Sequence, residues 1–290
     1  MEGKTTSPGI EDRLEAEAFG GLREVVLQAG GIDLGLYKDK CVLRRITVRQ
    51  RSSGATSLRA YLKLVSRDPV ERSLLVKALT IHVSQFFRNP TTFRAIQKDV
   101  LPTILKAKRA GGGRALRVWS VGCACGEEPY SLAILVTEIG GNVVREFSTA
   151  IYATDIDHDY LSRAREARYH APSLANVPDG WRQRYFTVEG EAYRVVPEIR
   201  RLVFFKGVNI LNPVPFNRID LAVCRNVMIY MTEALQERVL VSLFEAINAG
   251  GYLVLGKVEG LTGAARGLFE AADVAERIYR KPDGGLSQRE

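Results

Sequence analysis

The stretch Val118–Ile134, "VWSVGCACGEEPYSLAI", passes from an apolar segment through a turn of small residues into two glutamates set against a proline. Acidic residues and a proline in the first turn start helices, so a helix opens near Glu128, and Gly140-Gly141 closes it. The segment before the turn, "LRVWSV", reads as a buried strand. Gly122 and Gly126 let the backbone turn tightly and approach a ligand with no Cβ in the way. The turn therefore lies at a strand's carboxyl end, where open α/β sheets bind ligands. It lacks the Lys of a triphosphate-gripping loop.

Further strands fall at "STAIYATD", "IDLAVCR" and "GGYLVLG", with helices beginning near His158 and Thr232, the alternation of a parallel α/β sheet. "IYATDID" ends on Asp155, placed as the acid that accepts hydrogen bonds from ribose hydroxyls in dinucleotide-type folds. A dinucleotide site would need Gly-x-Gly-x-x-Gly, whereas this turn reads "GCACGEE". Two acids beside the turn repel a pyrophosphate but accept a ligand with a cationic end, such as S-adenosylmethionine. The plainer alternative is that Glu127 and Glu128 only favour the helix N-terminus.

Before Arg117 the chain reads as short helices, "EDRLEAEAF", "REVVLQAG", "YKDKCVLRRITVRQRSSG", "SLRAYLKLVSRD" and "PVERSLLVKALT". The segment "RYFTVEGEAYRVVPEIRRLVFFKG", Arg184–Gly207, alternates about a Glu189-Gly190 turn and is expected to be a small antiparallel insertion. At 290 residues and 46% hydrophobic content the chain has room for a large core. No apolar run long enough for a membrane span occurs, and the N-terminus lacks a secretory apolar core, so a cytoplasmic protein is expected. The cysteines, Cys41, Cys123, Cys125 and Cys224, do not form a metal-ligand pattern, and no metal is expected. A net charge of +8 calls for an acidic partner.

"SQFFRNP", "VWSVGCACGEEPYSLAI", "IYATDID", "FFKGVNILNP" and "IDLAVCRNVMIYM" resemble, in order and spacing, the CheR family of chemotaxis receptor methyltransferases. The resemblance implies a class I S-adenosylmethionine-dependent methyltransferase, a Rossmann-like α/β domain with an inserted small antiparallel β subdomain, preceded by an all-α N-terminal domain. It implies boundaries of 11–80 for the helical domain, 81–112 for a linker, 113–282 for the methyltransferase domain and about 184–206 for the insertion. The implied reaction is O-methylation of receptor glutamates by S-adenosyl-L-methionine, with S-adenosylhomocysteine as product. On the cofactor the resemblance puts Gly122 in the turn, Glu128 at the cationic methionine end, Asp155 at the ribose, and Asn209 and Ile210 beside the adenine. Cys224, Arg225 and Asn226 line its wall, with His82, Ser84 and Arg88 over it from the linker. His82 stands where an Asn is common, Ser84 where a Thr is, and "GKVEG" where Gly-His-Ser-Glu is usual.

A glutamate acceptor, with a reference pKa of about 4.3, is anionic at neutral pH and needs no general base. Arg88 would hold that carboxylate and Tyr230 would orient it; against these stand a surface arginine and a packing aromatic. Lys38, Lys40, Arg44, Arg45, Arg49 and Arg51 crowd one helix, a docking face for the acidic helical bundle of a chemoreceptor or simply a solvated face. A monomer is expected, with no membrane insertion and no nucleic-acid partner, since no aromatic stacking motif accompanies the charge. The short hairpin turn leaves little pocket for a receptor's C-terminal tether peptide. A non-catalytic scaffold that binds the same cofactor is the competing reading.

Overall fold

The structure, a computed structural model, describes residues 10–30, 32–79, 84–139 and 143–284. Contacts divide the chain into two units, Met1–Ile81 with Tyr230–Thr232, and His82–Ile229 with Glu233–Glu290.

In the first unit four helices, α1 Ile10–Gly30, α2 Asp39–Ser52, α3 Leu58–Arg67 and α4 Pro69–Leu79, bury Leu22, Val26, Ile46, Tyr61, Val65 and Leu75 among themselves. Ser57 caps α3, its hydroxyl accepting from the Ala60 N–H at 3.1 Å. The two short helices expected over 11–30 are one. Gly20-Gly21 does not break α1, because Gly21 is where α3 packs: a Cβ there would lie 2.7 Å from Leu62 Cδ2. A remote segment completes the unit. Tyr230–Thr232 runs antiparallel to residues 36–38, with Lys38 N–H donating to Tyr230 O at 2.9 Å and Thr232 N–H to Leu36 O at 3.0 Å.

The second unit opens with α5 Pro90–Ala95, a π turn at Ile96–Val100 and α6 Leu101–Ala110. Phe93, Ile96, Leu101, Ile104 and Leu105 from this stretch join the same core as Leu116 and Val118. The strands are β1 Ala115–Val121, β2 Ser148–Asp155, β3 Arg168–His170, β4 Phe186–Glu189, β5 Ala192–Val195, β6 Val203–Gly207, β7 Ile219–Cys224, β8 Ile247–Leu255, β9 Glu270–Asp273 and β10 Ile278–Arg280. The helices between them are α7 Glu127–Glu138, α8 Val143–Glu146, α9 His158–Glu166, α10 Asp179–Tyr185, α11 Pro197–Arg200 and α12 Glu233–Ala246.

Seven strands form one sheet in the order β6-β2-β1-β7-β8-β10-β9, parallel through β8 and antiparallel at the last two. Every residue of β7 is buried, as a central parallel strand requires. Strand order reverses at β1, and in open sheets of this kind ligands bind in the crevice beyond the carboxyl ends of the strands flanking such a point, here β1 and β7.

The insertion differs from its expected composition. Its sheet has the order β3-β5-β4, taking a strand from Arg168–His170, upstream of the expected stretch. Val203–Gly207 leaves it to pair in parallel with β2, Asp155 facing Gly207. The helical turn α11 separates the two, and alternation along a strand reveals its faces but not its partner. The hairpin turns at Gly190-Glu191, one residue later than expected, with Gly190 at φ +64°. α7 ends at Glu138, and the expected stop at Gly140-Gly141 lies outside the described residues.

Candidate functional site

The turn after β1 is held from three directions. Gly122 and Gly126 have φ of +67° and +93°, and a Cβ on Gly122 would lie 2.5 Å from Val227 Cγ2. Between them Ala124, also left-handed at φ +49°, donates its N–H to Asp155 Oδ2 at 2.9 Å. Asp155 Oδ1 accepts the Asp157 N–H at 3.0 Å. The acid at the end of β2 thus ties the glycine turn to the start of α9. Tyr169 locks the far side, its hydroxyl donating to Cys125 O at 2.6 Å.

Glu128, in the first turn of α7, is inside this frame. Its Oε1 accepts from Ser120 Oγ at 2.8 Å, and its Oε2 lies 3.3 Å from Arg225 Nη1. Burial raises the Glu128 carboxyl above its ordinary value, against the opposing pull of Arg225 and Ser120, and Glu259 adds to the rise. An ionised Glu128 is therefore held at a cost that a bound cation would offset.

Arg225 is the hub. Its side chain is 2% exposed, and besides Glu128 it donates from Nη2 to Arg88 O at 2.7 Å and to Asn89 Oδ1 at 2.6 Å. The guanidinium also packs over the Phe93 ring. Its Nε is buried with no partner among the described residues. The segment it grips is sharply bent: Phe87 and Asn89 are left-handed at φ +52° and +61°, Phe86 and Phe87 are buried, and Pro90 starts α5. Phe87 N–H donates to Ser131 Oγ at 2.9 Å. Arg88, half-buried, is thereby fixed by its neighbours at the backbone.

Asn209 and Ile210 follow β6 directly, beside Asp155, whose carbonyl accepts the Val208 N–H at 3.0 Å. Asn209 Oδ1 accepts from Leu211 N–H at 3.0 Å, which shapes the bend. Asn226, at φ +60°, follows Arg225. Ser84 is half-buried in the chain leading to the Arg88 turn, while His82 lies outside the described residues. Cys123 and Cys224 are buried packing groups whose thiols burial drives well above their ordinary values, and half-buried Cys125 is pushed up to about 11.

Tyr230 falls in the helical unit. There the Arg45 guanidinium lies 3.9 Å from its ring centroid and donates to the Leu79 carbonyl. Burial lowers Arg45, with Tyr230 opposing the fall. Arg49 is also committed internally, its Nε and Nη2 on the two oxygens of buried Glu71 at 2.7 and 2.5 Å. Lys38, Lys40, Arg44 and Arg51 are exposed. The basic helix therefore divides into structural and solvent-facing cations, a distinction that charge patterning does not carry.

Sequence reasoning passed over Glu259 and Glu276. Glu259, 6% exposed, accepts the N–H groups of Asn226, Gly256 and Met228 at 2.8, 2.8 and 2.7 Å. Glu276 Oε2 accepts from Thr92 Oγ1 at 2.6 Å and pairs with Lys257 Nζ at 2.6 Å, steadying the first turn of α5. The signal was the position of "GKVEG" just past a strand's carboxyl end.

What separates this crevice from a pyrophosphate site is the charge it wants. A largely buried carboxylate in the first turn of α7, a buried guanidinium N–H with no partner among the described residues and an acid at the end of β2 suit a ligand with an amino-acid end and a sugar. On a sheet of this order, those requirements define a class I S-adenosylmethionine-dependent methyltransferase. Residues 82–278 match the CheR methyltransferase SAM binding domain and residues 17–80 the CheR methyltransferase all-alpha domain, and the chain belongs to this family. A chemotaxis protein methyltransferase of Listeria monocytogenes is 32% identical, over 83% of this chain and 89% of its own. A probable chemotaxis protein methyltransferase of Rhizobium etli is 30% identical, over 91% and 100%. An uncharacterized 104.1 kDa protein of Rhodobacter capsulatus is 36% identical over 94% of this chain, which spans only 28% of that protein's length. The chain is an enzyme whose cofactor is S-adenosylmethionine.

Proposed function

We propose that this enzyme forms methyl esters on glutamate side chains of chemoreceptors in the cytoplasm. The observation that carries the reading is Arg225, which links the carboxylate of Glu128 to the backbone of Arg88, so that cofactor pocket and acceptor-binding arginine are set by one buried side chain. Glu128 takes the cationic methionine end and Asp155 the ribose, with Gly122 leaving the approach open. Bound S-adenosylmethionine supplies an electrophilic methyl on a cationic sulfonium. Asn209 and Ile210 flank the base, and Ser84, Cys224 and Asn226 complete the walls.

The acceptor is already anionic, so the site needs position rather than a base. Arg88 holds the acceptor carboxylate by charge-assisted hydrogen bonds, and Tyr230 orients it. The helical domain docks the receptor through its exposed cations Lys38, Lys40, Arg44 and Arg51. The two-residue Gly190-Glu191 loop offers a bare strand edge with little pocket, which supports methylation without a tether peptide.

Incubation with labelled cofactor and receptor-bearing membranes tests the reaction. Label that mild base releases, mapped to receptor glutamates and lost in Arg88→Ala, is the expected outcome. Base-stable label, or cofactor binding with no transfer, refutes it. Undiminished rate on receptors trimmed of their final residues is expected for tether independence, and a large loss would overturn that part.

A further inference from the structure

We propose that Glu259 is a positioning residue of the cofactor site: its carboxylate holds the left-handed turn at Asn226 through which β7 presents Arg225. The inference rests on the reading of the crevice as a methyltransferase site. Cys224 pairs with Leu255, and there the β7–β8 ladder ends. Gly256, one residue past that rung, and Asn226, two residues past it, lie outside the paired strands, and Glu259 Oε2 accepts the amides of both at 2.8 Å. Oε1 reaches on to the Met228 N–H at 2.7 Å. One side chain thus replaces the missing rungs and carries the chain round the bend.

The neighbours confirm how closely the carboxylate is seated. A Cβ on Gly256 would lie 2.5 Å from Glu259 Oε2 and 3.0 Å from Asn226 N, so any larger residue there must displace the carboxylate. Asn226, at φ +60°, lies in the left-handed region that most side-chain-bearing residues avoid and asparagine tolerates, and its amide is the one that Glu259 holds there. Arg225 is therefore fixed from both sides, by the ladder before it and by the clamped turn after it. Glu259 also faces the Glu128 carboxyl together with Arg225 and Ser120, and its negative charge raises that carboxyl.

The test is calorimetric titration of the full chain with S-adenosylmethionine across the acidic range, which reads binding without any receptor. Glu259→Gln keeps shape but turns an amide donor toward backbone donors, and affinity is expected to fall about tenfold. Removing the charge beside Glu128 lets that carboxyl stay ionised to lower pH, so the acidic fall in affinity should move down in pH. A role in stability alone would lower affinity and melting temperature without moving it. Glu259→Asp, with the charge kept and the reach shortened, should lose affinity while the acidic fall stays in place. Gly256→Ala leaves the charge and displaces the carboxylate, and should behave likewise, which keeps the test open if the glutamine variant does not fold. Wild-type affinity in a folded variant, or an unmoved acidic fall in Glu259→Gln, overturns the proposal. Absence of binding by the unaltered protein would instead refute the site itself.

Discussion

Arg225 does at residue scale what several motifs do in outline. Removing its side chain leaves Glu128 buried beside Ser120 without its cation, and strands the Arg88 carbonyl and Asn89 side chain. Breaking a buried pair in this way costs about 3 to 5 kcal/mol. Arg225→Ala should accordingly lower the unfolding free energy by that amount in urea titration and abolish cofactor binding. Arg225→Lys should rescue little, because one ammonium cannot serve partners spread over a planar fork. Glu128, Asp155 and Gly122 were legible because a tight turn, an acid and a strand end are all local features. The clamps were not: Ser131, Glu276 and, beyond its local contact with Gly256, Glu259 act on backbone amides or hydroxyls far along the chain.

At the scale of elements, the helix α2 shows why a run of like charge is a poor guide. Arg49 spends its charge on Glu71, which also accepts from the Tyr61 hydroxyl at 2.8 Å. Arg49 and Tyr61 hold the Glu71 carboxyl below its ordinary value despite burial. A depressed carboxylate stabilises the fold fully above its unfolded-state pKa of about 4.3 and loses that contribution as pH falls through the lower folded value. Arg49→Glu should thus lower the melting temperature clearly at neutral pH, and much less under acid. Lys40→Glu with Arg44→Glu, on exposed positions, should leave melting unchanged while raising the KM for receptor. Normal receptor kinetics in that double variant would make the exposed face a solvated one. The strands β1, β2, β7 and β8 were legible from apolar runs between turn signals. β6 was mistaken for hairpin because its partner β2 lies about fifty residues away, and β9 and β10 were missed because "EAAD" and "IYR" are too short to show a period.

For the whole molecule, the net charge of +8 is expected to act on encounter with an acidic partner, while the cofactor site carries its own ion pair, Arg225 with Glu128. Receptor KM should therefore rise as salt shortens the Debye length from about 10 Å at 0.1 M, with cofactor affinity nearly constant. Equal salt sensitivity of both constants would place the steering elsewhere. Finally, the short antiparallel pairing of Tyr230–Thr232 with residues 36–38 bears on modularity. A cut at the linker would yield two fragments that each lack something: the helical piece loses the chain that satisfies Leu36 O and Lys38 N, and the other keeps Tyr230 with nothing to pair against. Any transplant of the helical unit must therefore carry residues 230–232 with it.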